Sequence, residues 1–144
     1  MKKTYIILTI FLAALFVTSC ETYDDYEADR ETIVGFTFGA FATQMTPGQT
    51  IVFPIAQYYI TTASSMDRTF QLVVVESRTG VTSDNYSFDS TVIIPANEQV
   101  GSMTVTLMNN SLPTDPTDLV IAFMPTDETI IAGAPAIFTL NSPL

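Results

Sequence analysis

The side chains of this 144-residue chain that could do chemistry are almost all carboxylates and hydroxyls. Fifteen Asp and Glu stand against five Lys and Arg, and there is no histidine. Without an imidazole, Ser-His-Asp and Cys-His nucleophile systems are excluded, as are histidine-ligated metals. Lys2 and Lys3 are the only lysines, so the rest of the chain offers no Schiff-base amine. Tryptophan is absent as well, which leaves tyrosine for stacking on a sugar or a cation. Two carboxylates about 5–10 Å apart are enough for glycoside hydrolysis. No spacing here puts two acids on neighbouring buried positions, so a carboxylate hydrolase is the least favoured reading. No cofactor is implied.

The segment that must position everything else comes first. Lys2 and Lys3 open it, Tyr5 to Val17 is a nearly unbroken apolar run, and Val17-Thr18-Ser19-Cys20 closes it. This is the layout of a secretory signal peptide. The run is 13 residues long, short of the roughly 20 that span a bilayer as a helix. The small residues before the lone cysteine resemble the lipobox of bacterial lipoproteins. That resemblance implies removal of residues 1–19 and lipidation of Cys20. The expectation is an exported protein held to the cell envelope through its lipid, at the cell surface or the periplasmic face of the outer membrane. Cys20 is the only cysteine, so no intrachain disulfide forms, and lipidation explains a single thiol in an exported chain.

Residues 20–31 read as the lipidated cysteine and an acidic tether. Glu21, Asp24, Asp25, Glu27, Asp29 and Glu31 crowd this stretch, with Arg30 as the only cation. Such a segment cannot bury enough apolar surface to offset its ordering entropy. Acids directly after the lipidated cysteine also resemble the surface-export signal of lipoproteins from glycan-utilising Gram-negative bacteria. Without residues 1–19 the chain keeps Arg30, Arg68 and Arg78 against all fifteen carboxylates, a net charge of −12. A surface of that sign repels phosphate backbones, so no nucleic-acid partner is expected.

From Thr32 to Leu144 the hydrophobic period is two. Val34, Phe36, Phe38 and Ala40 alternate with small or polar residues, as do Met103, Val105 and Leu107. Further strands are read at 51–58, 70–75, 91–94, 119–124 and 136–140. Pro54 within the first of these argues for an edge or a bulge, because proline cannot donate to the ladder. Thr46-Pro47-Gly48, Thr79-Gly80, Ser83-Asp84-Asn85, Asn109 to Pro116 and Ala132 to Pro135 supply the turns. About seven short strands so punctuated predict an all-β fold, a single antiparallel Ig-like β-sandwich over residues 32–144. An up-and-down barrel is the weaker alternative.

Asp84-Asn85-Tyr86, Val92 to Glu98 and the alternating run Gly101 to Met108 together resemble the Calx-beta pattern and related uncharacterised sandwich domains of glycan-utilisation lipoproteins. In those families an Asp-Tyr corner precedes a strand, and a Pro-Ala-Gly-Glu-like turn joins it to its partner. Here Asn97 takes the glycine position, and asparagine tolerates the left-handed conformation such a turn needs. Asn85 interrupts the usual Asp-Tyr pair. The resemblance implies fold more than function, since such sandwiches host many functions. It also raises calcium, for which Asp115, Asp118, Asp127 and Glu128 are the loop candidates and Asp84 and Asp89 the outliers. Calcium takes six to eight oxygens. That loop set is too sparse to be a signature, so no metal site is assigned.

Tyr58 and Tyr59 must point to opposite faces of a strand, one to the core and one outward. Tyr59 and Tyr86 are therefore the candidate ligand-binding aromatics. Ser90, in Asp89-Ser90-Thr91, resembles the site at which some of these bacteria O-glycosylate their proteins. The sequence points to a non-enzymatic envelope lipoprotein that binds or scaffolds, with a glycan or an envelope protein as partner. The alternative is a structural adhesin or assembly subunit that pairs through an edge strand.

Overall fold

Met103, Val105 and Leu107 are buried while Ser102 and Thr104 face out, and the same alternation runs through residues 68–73 and 136–141, whereas Leu119, Val120 and Ile121 are buried in succession. The computed structural model describes residues 31–124 and 128–144. Within the unit Glu31–Leu144 these residues form ten strands. They are β1 Thr32–Phe36, β2 Ala40–Gln44, β3 Thr50–Ile60, β4 Arg68–Val74, β5 Tyr86–Phe88, β6 Thr91–Ile94, β7 Val100–Met108, β8 Thr117–Met124, β9 Ile130–Ala132 and β10 Ala136–Asn141. The first sheet runs β5-β7-β3-β1-β9 and the second β2-β10-β8-β4-β6. Their inner faces interleave as a β-sandwich, as the alternation requires.

Three details depart from the sequence reading. The strand expected over 34–40 is two strands in different sheets. β1 pairs with β3, then the chain crosses and β2 pairs with β10. The inward positions are Phe36, Phe38 and then Phe41, so the alternation slips by one at Gly39 and Ala40 is exposed. β5 and β9, three residues each, were too short to register as periodic segments. Finally, β1 with β9 and β2 with β10 are parallel pairs within otherwise antiparallel sheets.

Pro54 sits at a bulge between Phe53 and Ala56 of β3, which is an inner strand of the first sheet. It is tolerated because β1 pairs only with Tyr58 to Ile60 before crossing to the other sheet. The N-terminal half of β3 is therefore a local edge, where a missing N–H costs no ladder bond.

The core is aromatic. Phe36, Tyr58 and Phe70 meet Phe123, at centroid separations of 5.1, 5.6 and 6.0 Å. Phe38, Phe41 and Phe53 surround Phe138. Each fully buried large side chain contributes about 1.5–3 kcal/mol. Tyr58 also ties the sheets together, since its hydroxyl donates to the Ile93 carbonyl of β6 at 3.0 Å. Gly101 makes that possible, because a Cβ there would lie 2.4 Å from the Tyr58 ring.

Candidate functional site

The strands carry their loops to two ends of the sandwich. At the N-terminal end, Glu31 and Thr32 meet the β3–β4 and β6–β7 connections. Thr61 Oγ1 donates to the Glu31 carbonyl at 2.8 Å, and Ala96 N–H donates to Asp67 Oδ1 at 2.8 Å. The β6–β7 turn closes with Glu98 N–H to the Pro95 carbonyl, 3.0 Å, and Asn97 has φ 64°. The left-handed asparagine expected from the sequence is in place.

The far end is built on two buried asparagines. The Asn85 amide nitrogen donates to Thr82 Oγ1 at 2.7 Å and to Ser111 Oγ at 2.9 Å. Its oxygen accepts the N–H groups of Asn110 and Ser111, at 2.8 and 3.0 Å. Asn109 donates to the Met45 carbonyl and accepts from Leu112 N–H, tying the β2–β3 turn to the β7–β8 loop. Asp84 accepts from Ser111 Oγ at 2.7 Å. Hydrogen bonds from Thr82 and Ser111 hold its carboxyl below the usual carboxylate range. Among the described residues, every buried side-chain polar atom has a hydrogen-bond partner. The far-end amides are thus committed to the fold.

The aromatics divide. Tyr58 points inward and Tyr59 outward, as strand parity requires. Tyr59 lies opposite Val100 of β7 and Gly35 of β1, on the outer face of the first sheet near the N-terminal end. Tyr86 lies opposite Leu107, on the inner side of the edge strand β5, at the far end. Val100 and Leu107 are seven residues apart on one strand, so Tyr59 and Tyr86 are separated by about 23 Å at roughly 3.3 Å per residue. They also face opposite sides of the sheet and form no common platform.

Tyr86 instead pairs with Phe88. Their rings stack at 6.0 Å with an interplanar angle of 22°, and both are only partly buried. Partial burial, followed by the Glu76 carboxylate, raises the Tyr86 pKa above the ordinary phenol value. Glu76 belongs to a short 3-10 turn after β4. The far flank of β5 therefore offers two stacked rings, packed on the core and partly exposed, within electrostatic range of the Glu76 carboxylate. Sequence reading missed Phe88 and Glu76. Phe88 stands two residues from Tyr86, the spacing that puts both rings on one face. No local pattern announces Glu76, which the β4–β5 connection brings in.

Ser90 is exposed in the β5–β6 connection with Asp89, next to Thr91 at the start of β6, and its carbonyl accepts Leu72 N–H at 2.8 Å. Cys20 and Asp127 lie outside the described residues. Among the described residues, no three carboxylates group to hold a metal ion.

Charge is distributed unevenly. None of the five strands of the first sheet carries a charged side chain, and the sequence has none from Thr32 to Met66. The described carboxylates sit almost entirely in connections, with Asp118 of β8 the exception.

No family model matches the chain, and neither does any curated protein. Solved structures do. A Bacteroides ovatus protein provisionally assigned to carbohydrate binding superposes with a TM-score of 0.58 at 13% identity, over 78% of this chain and 37% of its own. A B. ovatus protein of unknown function gives 0.62 at 9% identity, over 76% and 44%. Another gives 0.52 at 15%, over 76% and 46%. The chain spans less than half the length of each of these structures. At such identities the likeness is one of fold, a β-sandwich module found within longer Bacteroides proteins.

Proposed function

We propose that this chain is a non-enzymatic envelope lipoprotein whose sandwich binds a neutral glycan on the Tyr86–Phe88 flank. The observation that carries the reading is the stacked pair of rings, seated on the core and left partly exposed at the sheet edge. Exposed aromatic rings receive the apolar face of a sugar, and Glu76, whose charge is felt at Tyr86, is the nearby acceptor for its hydroxyls, the mix of apolar lining and few polar groups common in binding sites. The fold likeness to a B. ovatus protein provisionally assigned to carbohydrate binding supports the class of ligand. The absence of histidine, and of lysine beyond Lys3, supports binding rather than turnover. With a net charge of −12 after residue 19, polyanionic glycans are disfavoured.

The signal and lipobox-like residues complete the reading. Lipid on Cys20 holds the protein at the outer membrane, the acidic tether spaces it, and the chain enters the sandwich at the end opposite the far-end loops. Cys20→Ser should move the protein from the membrane to the soluble fraction. Retention of the variant in salt-washed membranes would remove the anchoring part, because two or more acyl chains on one cysteine hold stably where a protein surface does not. For binding, a glycan array probed with the purified protein should give neutral-glycan signals that Tyr86→Ala and Phe88→Ala each abolish. Hydrolysis of any positive glycan, lost on one Asp or Glu substitution, would replace the binding reading with an enzymatic one.

A further inference from the structure

Sheet edges are normally guarded by shortness, charge, proline or a bulge, because their unpaired N–H and C=O groups are a template for another chain. Most edges of this sandwich are guarded. β5, β6 and β9 have three, four and three residues. The Ile93 carbonyl of β6 is taken by the Tyr58 hydroxyl. The local edge of β3 has Pro54 and a bulge. Among the described residues β2 is the exception: five residues, Ala-Phe-Ala-Thr-Gln, with no charge, no proline and no bulge, at the end of the second sheet.

The phase of its ladder is fixed. Met45 N–H donates to the Asn141 carbonyl at 2.9 Å, and β2 runs parallel to β10 with Ala42 opposite Thr139. Main-chain groups alternate sides along a strand. Phe41, Thr43 and Met45 therefore turn theirs to β10, while Ala40, Ala42 and Gln44 turn theirs outward, the Gln44 carbonyl accepting a long bond from Thr43 Oγ1 at 3.4 Å. Those three residues are exposed. Inward of them, the half-buried Phe41 ring packs on Phe53 at 5.2 Å.

The geometry points to β2 as a docking edge for an extended segment of another polypeptide, one with a basic residue opposite Ala42. Charge selects this occupant. Thr139 pairs on its other side with Asp118 and donates to its carboxylate at 2.6 Å. Ala42, Thr139 and Asp118 thus form one cross-strand row from the free edge to a carboxylate. Nothing larger than threonine stands between. A lysine on the incoming strand opposite Ala42 reaches over the row to within about a Debye length, 8–10 Å, of that anion. A second copy brings the same acidic net charge, and the chain's own tether carries six carboxylates against a single arginine. Both are the wrong partners. This proposal uses residues distinct from Tyr86, Phe88 and Glu76, so it stands or falls separately from the glycan reading.

The test is nuclear magnetic resonance on the isotope-labelled full chain in detergent, titrated with the blocked peptide STVKVTS and with STVEVTS. The lysine peptide should shift the amides of Ala40, Ala42 and Gln44 and slow their hydrogen exchange at least tenfold. The glutamate peptide should bind at least fivefold more weakly, and Asp118→Asn should narrow that difference. Ala42→Pro removes an outward N–H without touching the β10 ladder, and should abolish binding. Ala42→Lys, which keeps the backbone intact and puts like charge on the edge, should do the same. Unshifted β2 amides, equal binding of both peptides, or undiminished binding to Ala42→Lys would overturn the proposal. So would protection of the β2 amides without peptide together with a dimer in sedimentation, which would assign the edge to a second copy.

Discussion

The two ends of the sandwich solve one problem with different chemistry. At the N-terminal end, connections are closed by main-chain turns and by exposed or half-buried side-chain bonds, such as Ala96 N–H to Asp67 and the Arg68 guanidinium to Thr62, with no fully buried amide among the described residues. At the far end, Asn85 and Asn109 are buried, at 1% and 4% exposure, and each holds several chain segments through both amide atoms. A buried amide is costly unless fully paired and rigidifying when it is. The far end is therefore the fixed one, and the Tyr86–Phe88 pair begins one residue after Asn85. Tyr59, near the other end, has an exposed strand face around it and no such frame. Rigid support beneath an aromatic pair is what a binding surface needs.

The largest predicted effect concerns what the two ends share. Val105→Asp places a charge at a position with 0% exposure, in the strand joining both ends, and should cost more than about 4 kcal/mol or abolish folding. Thr104→Asp, on the outer face, should cost less than about 1 kcal/mol. Urea unfolding separates them, and equal costs would mean the register of β7 is wrong.

The next effect separates the ends. Asn85→Ala strands the Asn110 and Ser111 N–H groups and should cost about 2–4 kcal/mol. It should also weaken glycan binding by displacing β5. Asn97→Ala at the N-terminal end meets only the left-handed strain of φ 64°, and should cost about 1–2 kcal/mol with glycan binding intact. If both variants leave binding unchanged, the contrast between the ends has no functional meaning.

A smaller effect is in acid. Asp84 titrates lower in the folded chain than its ordinary 3.8, because Thr82 and Ser111 bond to its ionised form. The stabilisation is present above that ordinary value and is lost as pH falls below it through the folded value. Asp84→Asn should flatten this part of the acid-unfolding curve, as followed by circular dichroism. The smallest effect is local. Glu76→Gln should bring the Tyr86 phenol closer to its ordinary value in a spectrophotometric titration, although burial keeps it raised.

Local chemistry made the long strands and turns legible. The alternation of β7 and the turn at Asn97 follow directly from side-chain period and backbone sterics, and both are as read. The crossing from β1 to β2 was hidden because an inward phenylalanine serves either sheet, and only the one-residue slip at Gly39 marks it. Cys20 and Ser90 stand out through short local motifs, and Tyr59 and Tyr86 through residue type and strand parity, none of which says anything about distant neighbours. Tyr59 and Tyr86 look equivalent in sequence, yet they face opposite sides of the sheet because one is at an outward and the other at an inward position. Glu76 comes within electrostatic range of Tyr86 through a connection whose path no periodicity encodes.

The central claim is tested most directly by calorimetric titration of a neutral array-positive glycan into four proteins: the native chain, Tyr59→Ala, Tyr86→Ala and Phe88→Ala. The account predicts binding that Tyr59→Ala leaves within twofold and that Tyr86→Ala or Phe88→Ala weakens at least tenfold, the loss expected of a stacking hot spot. Binding that survives both far-end substitutions, or that Tyr59→Ala alone removes, would contradict it.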